Sequence, residues 1–500
     1  MQPVRWVRLA LVLGLVLVPV ACGDAAPGPD GGNRLAGAVI YETNLEYYPN
    51  RAFADLEADL PRLAELGVSV LYLTPIWEDL LGDNHHYLIK DYYRIHPRFG
   101  GGEDLKSLVD AAHAQGIRVL LDLVTSLTAE GSVVWDEHRD WILRGDDGTM
   151  QRYYPFPDWG WAIDATNPEA IRYFAEVARH YVETYGIDGW RVDSPQNNYD
   201  PARVTGDHSR LELLRAVKRA VREANPDAVL VCELPGPGFF WGASDAGDPP
   251  LFDEVCEASY GYPFIGFLGG NAQEGYFYVV PDGSPANGRL VSSPLNDALY
   301  GAVDSATFVR RVQARRTEHG ALRANFLENH DTPRAALAFP QRARALAVLL
   351  YTLPGVPVLH AGQELGAKTD PYAGDVRVDW SGGDRALEAF YRTLLTARRR
   401  HAALVRGGIR DVWKSGDAAL AYLRHAPSDA ALVAVNFSER PAAFEVALPL
   451  EPLGLEPDGV YTLRALLSGE RRTLRGRELA ALALALEPYA AEVYFVGPGD

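Results

Sequence analysis

The sequence predicts an α/β fold: a (β/α)8 TIM barrel with a short subdomain inserted after strand 3 and a C-terminal antiparallel β domain. Three observations carry this. Eight short apolar runs recur between Ala38 and Gly362. Amphipathic helical patterns separate most of them, as strand–helix repeats require. After Leu404 the pattern changes to closely spaced strand-like segments divided by turns. An open doubly wound sheet is the competing arrangement.

In chain order, residues 1–22 read as a signal peptide. Arg5 and Arg8 form its positive region and Leu9 to Ala21 its apolar region. Cys22 follows directly, so the segment resembles a bacterial lipoprotein signal that would leave Cys22 lipidated, with Pro19 where that signal usually has leucine. Localisation is then exported: cell envelope, membrane-anchored through Cys22, or periplasmic or extracellular. Residues 23–34 are a Gly/Pro-rich tether. Residues 35–404 form the barrel. Its runs begin at Ala38, Val68, Ile117, Gly189, Ala228, weakly near Leu251, then Ala324 and Val356. Helices are expected over Phe53–Gly67, Leu105–Gly116 and from Pro168, where Asn167 caps, Pro168 opens and Gly186 stops. A stretch rich in Trp, Asp, Gly and Pro, about 125–166, is too long for a plain βα loop and reads as an excursion subdomain. Asp384 to Leu404 reads as a helix, and 405–500 as a β-sandwich.

Composition narrows the function. Hydrophobic residues make up 47% and charged residues 23%, ordinary for a globular chain. A net charge of −18 argues against nucleic acid or an anionic membrane surface as partner. Beyond Cys22 only Cys232 and Cys256 remain, which is no disulfide framework; two buried thiols are the expectation, with pairing of the two as the alternative. Ten tryptophans and 25 tyrosines suit sugar-binding surfaces. Trp77, Trp159 and Trp161 are candidate sugar platforms, against the simpler reading that such rings are core.

The chemistry gathers where barrels place it, at the C-terminal ends of strands. Asp193 ends the fourth run, Glu233 the fifth, and Asp331 follows the seventh. Paired carboxylates at about 5–5.5 Å carry out retaining glycoside hydrolysis. Arg191 and Asp193, two apart on a strand, point to the same face. The guanidinium is expected to hold the Asp193 carboxyl low, offsetting desolvation. Glu233, behind Val231 and Cys232, would need a raised pKa to begin as an acid.

With these residues in place, the sequence resembles the α-amylase family of glycoside hydrolases (family 13) over roughly residues 38 to 500. GWRVD, VCE and FLENHD look like its nucleophile, acid/base and third-acid strands. HHYLIKDYYRIHPRFG, from His85, looks like the segment with its stacking tyrosine, here Tyr87, and PGVPVLHAGQELG looks like its eighth-strand motif. The resemblance implies a hydrolase of O-glycosyl bonds acting on starch-like α-glucans or maltooligosaccharides. Asp193 would be the nucleophile, Glu233 the proton donor and later base, and Asp331 the acid holding sugar hydroxyls. Arg191, His330, Tyr87, Asp122 and His86 would bind or support substrate, with Trp77 added on composition alone.

The third strand departs from the pattern. It reads LDLVTSLT, with Ser126 and Leu127 where the family usually has asparagine and histidine. The histidine binds the sugar at the cleavage point, and leucine offers no hydrogen bond. The asparagine usually ligates a structural calcium, which here loses a ligand; no cofactor is required by the chemistry. Three readings stay open: an α-glucan hydrolase, a glucan transferase on the same scaffold, and a catalytically weak surface glucan-binding protein.

Overall fold

The computed structural model describes residues 32–82, 84–154, 157–195, 202–206, 208, 210–233, 254–260, 304–314, 320–369, 371, 374–416 and 419–499. The signal segment, Cys22 and nearly all of the tether lie outside these residues. Among the described residues, no helix is long and apolar enough to cross a membrane.

Eight parallel strands close into a barrel. They are β1 (Ile40–Thr43), β2 (Val70–Leu73), β3 (Arg118–Val124), β4 (Gly189–Asp193), β5 (Val229–Cys232), β6 (Ala258–Tyr260), β7 (Leu322–Phe326) and β8 (Val356–His360). Seven coincide with the predicted apolar runs. The sixth does not: it falls at Ala258–Tyr260, after the weak run near Leu251, whose first three residues lie outside the described set. Three residues carrying one serine give no apolar run to read. The strand is defined by its neighbours, Val231 pairing with Ala258 and Tyr260 with Ala324.

Helix Pro168–Tyr185 shows how the sequence sets the frame. The Asn167 side chain accepts from the backbone of Glu169 and Ala170, and Gly186 ends the helix at φ +75°. Its buried face, Ala170, Phe174, Val177, Ala178, Tyr181 and Val182, follows helical spacing. Trp190 of β4 ties on by donating from Nε1 to the Ala178 carbonyl, 3.2 Å away. Gly189 opens β4 at φ +142°, and a Cβ there would collide with the Val229 backbone of β5.

Between β3 and that helix, Leu127–Thr128 pairs with Trp161–Ala162, closing a small excursion over the mouth of the barrel. After helix Arg385–Arg400, a six-stranded and a three-stranded antiparallel sheet face each other across their own apolar core. Cys232 and Cys256 are joined as a disulfide, correcting the expectation of two thiols. The two sulfurs meet because Cys232 ends β5 and Cys256 lies two residues before the adjacent β6.

Candidate active site

Register places the acids. Asp122 on β3 is the Cα partner of Arg191 on β4, and Val124 that of Asp193. Strand partners point to the same side, so Asp122, Arg191 and Asp193 converge inside the barrel mouth. Arg191 is 1% exposed. Its Nη1 donates to both Asp122 oxygens, at 2.8 and 2.9 Å, and to Asp193 Oδ1 at 3.0 Å. Its Nη2 lies 2.7 Å from Glu233 Oε2, an ion pair whose angle falls outside hydrogen-bond geometry. One guanidinium thus serves three carboxylates.

The two outer acids are each held a second time. The Ser126 hydroxyl donates to Asp193 Oδ2 at 3.1 Å. Ser194 donates its backbone N–H and its hydroxyl to Glu233 Oε2, both at 3.1 Å. Ser194 reaches that position with φ at +34°, outside the regular strand region.

On the far side of Arg191, His330 donates its backbone N–H and Nδ1 to Glu42 Oε1, at 2.9 and 2.7 Å. Its Nε2 lies 2.8 Å from the Tyr87 hydroxyl and 3.5 Å from Asp331 Oδ2. Burial pulls the imidazole down, but Asp331 and Glu42 outweigh it and raise its pKa to about 9. The ring is therefore a cation at neutral pH and both its nitrogens donate. Tyr87 accepts from it, donates onward to Asp122 Oδ2 at 2.7 Å, and stacks on the ring at 5.5 Å.

Asp193 differs from its expectation. Arg191 does pull its carboxyl down, but burial is the larger effect, and Glu233, Asp122 and Asp331 add to it. Its pKa is raised to about 8. Burial and the crowding of carboxylates around Arg191 thus both favour the protonated form of Asp193.

Several predicted site residues take other roles. Asp122 is fully buried and accepts from Arg191, Tyr72 and Tyr87, so it supports Arg191 rather than meeting sugar. Trp77 is no platform: it is fully buried, stacked on Trp190 at 6.1 Å, with its Nε1 on the Tyr181 hydroxyl. His86 is likewise not at the substrate. A φ of +60° turns it away from Tyr87, and it is fully buried between Asp79 (2.6 Å) and Glu46 (3.2 Å). Trp161 lies against Trp135 with the Arg152 guanidinium over its ring, so no bare face is offered. Trp159 is 37% exposed on the excursion.

Sequence reasoning missed Tyr153. It comes from the excursion, is buried, and hydrogen-bonds Ser126 and Ser194 beside Asp193 and Glu233. Burial first, then those two acids, push its phenol far above the ordinary range, so it remains a donor. Glu42 was also missed, although it stands at a strand end like the other acids.

A barrel whose strand ends bring two carboxylates to one guanidinium invites comparison with known proteins. The sequence model described as alpha amylase, catalytic domain, matches residues 55–162. Over those residues the chain is similar to the α-amylase family. Among similar proteins, a cyclomaltodextrinase from a Bacillus species is 28% identical over 87% of this chain and 74% of the relative. Neopullulanase 2 of Thermoactinomyces vulgaris is 27% identical over 81% of this chain and 65% of its own length. In fold, a noncanonic maltogenic α-amylase from Thermotoga neapolitana superposes with a TM-score of 0.71. It covers 93% of this chain and 100% of that one at 20% identity.

Proposed function

We propose that the protein is a retaining hydrolase of α-linked glucans and maltooligosaccharides, with Asp193 as nucleophile and Glu233 as acid and then base. The supporting observation is the single Arg191 guanidinium bridging those two carboxylates at the barrel mouth. Asp193 Oδ1 and Oδ2 are aimed by Arg191 and Ser126, which fixes the attacking group. Attack on the anomeric carbon forms the glycosyl ester while Glu233 gives its proton to the departing glycosidic oxygen. Glu233 then takes a proton from water, which cleaves the ester. The proton that burial places on Asp193 must lie on Glu233 at the moment of attack. Sugar hydroxyls donating to Asp193 favour that transfer. Asp331, beside the His330 cation, holds sugar hydroxyls, and Tyr87 offers its ring to the sugar face.

The relatives' names, cyclomaltodextrinase, neopullulanase and maltogenic amylase, support cyclic and linear maltodextrins and pullulan as substrates to try first. The test is a time course on maltoheptaose, pullulan and trehalose with the wild type, Asp193→Asn and Glu233→Gln. Each variant is expected to lose about 10⁴-fold or more in kcat. Unchanged sugar release in both overturns the reading. Products longer than the substrate would assign transfer through the same intermediate. Export with lipid attachment at Cys22 is part of this proposal, supported by the apolar run ending in Ala-Cys. Radiolabelled palmitate incorporation, lost in Cys22→Ser, checks it.

A further inference from the structure

Arg210 stands at the start of helix Leu211–Ala224 and is 3% exposed. Its Nη1 donates to the Thr125 carbonyl at 2.7 Å, and its Nη2 to those of Ser126 (3.1 Å) and Ile163 (3.0 Å). Thr125 and Ser126 follow β3 directly, and Ile163 lies on the returning arm of the excursion. The Ile163 N–H closes the same junction by donating to the Ser126 carbonyl. Three main-chain oxygens from two segments thus converge on one buried cation. The charged and titratable groups around it include Tyr153, Asp164, Asp193 and Tyr92.

This is where the family resemblance puts a calcium ligand, at Ser126. Converging carbonyls with a carboxylate close by are the donor set a hard cation takes. Here the donors are engaged: the three carbonyls accept from the guanidinium, and the Ser126 hydroxyl is turned to Asp193. The residues do not fit a calcium ion.

We propose that the Arg210 guanidinium is a built-in cation that takes the place of a structural calcium, clamping the excursion to the end of β3 and so positioning Ser126 against the nucleophile. A guanidinium suits the task because its planar fork reaches several oxygens at once, and it cannot be removed by a chelator.

The test uses the full chain. Wild-type Tm is expected to be the same in excess EDTA and in millimolar calcium. Arg210→Lys, whose ammonium cannot span the three oxygens, is expected to lower kcat about tenfold with little change in KM. In Arg210→Ala, added methylguanidinium is expected to restore part of the lost Tm and kcat where equal sodium chloride does not. A wild-type Tm that falls in EDTA and returns with calcium overturns the proposal. So does Arg210→Lys with wild-type kcat. The Tm measurements need no sugar substrate, so this inference can fail while the hydrolase reading stands, and the reverse.

Discussion

Two buried arginines of the same barrel are used in opposite ways. Arg334 is fully buried and closely balanced: its Nη1 meets one carboxylate, Glu328, at 2.8 Å, with His360 Nδ1 and the Ala361 carbonyl beside it. Its Nε donates to the Thr369 carbonyl. Arg191 is as deeply buried and outnumbered, one cation for Asp122, Asp193 and Glu233. The balanced pair holds a loop in place. The outnumbered one leaves a carboxylate in want of a proton, which is a condition for acid–base chemistry. Burial raises a carboxylate in both networks, Asp193 and Glu328; at Asp193 the neighbouring carboxylates add to it.

Three substitutions break or sharpen this contrast. The largest effect is expected from Asp193→Asn, which ends turnover and also stabilises the fold. The native carboxyl is raised from 3.8 to about 8. The folded protein therefore binds more protons than the unfolded chain across that window, and stability falls as pH rises through it. Removing the group removes that slope. The Tm advantage of Asp193→Asn should be small near pH 4 and reach several degrees above pH 8, measured by calorimetry. An advantage independent of pH would contradict the raised Asp193 pKa.

Glu328→Gln should do the reverse. It leaves Arg334 buried without its counter-charge, so stability should fall by about 3–5 kcal/mol, read from denaturant unfolding. The folded fraction should keep a kcat within about twofold of wild type, because Glu328 touches none of the acids at the mouth of the barrel. The smallest of the three is Tyr153→Phe. It deletes only the hydroxyl between Ser126 and Ser194, and kcat should fall about 10–100-fold with Tm nearly unchanged. If kcat is unaffected, Tyr153 is packing and does not hold Ser126 and Ser194 in place beside the acids.

The readable part of the molecule was local. A strand's same-face rule joined Arg191 to Asp193, and caps and stops marked helix Pro168–Tyr185. The acids ending β4 and β5 stood at positions that a barrel makes chemical. The unreadable part needed a second segment. Tyr153 and Arg210 matter only because the excursion folds back over β3, and the sulfur pair needed the β5–β6 adjacency. Trp77 misled because an aromatic before a polar segment can face either way, and here it packs on Trp190. His86 misled through its proximity to Tyr87, since a positive φ reverses the direction of the side chain. Glu42 carried the same signal as Asp193, an acid at a strand end, and could have been found by it.

The bridge between Cys232 and Cys256 sits one residue before Glu233 and ties β5 to β6. Dithiothreitol in an assay buffer is therefore a reagent and not a preservative. Reduction would release β5, which leads into Glu233, from β6, while the contacts of Arg191 and Ser126 with Asp193 do not involve the bridge. A preparation kept in thiol is therefore to be compared with one kept in air before their rates are pooled.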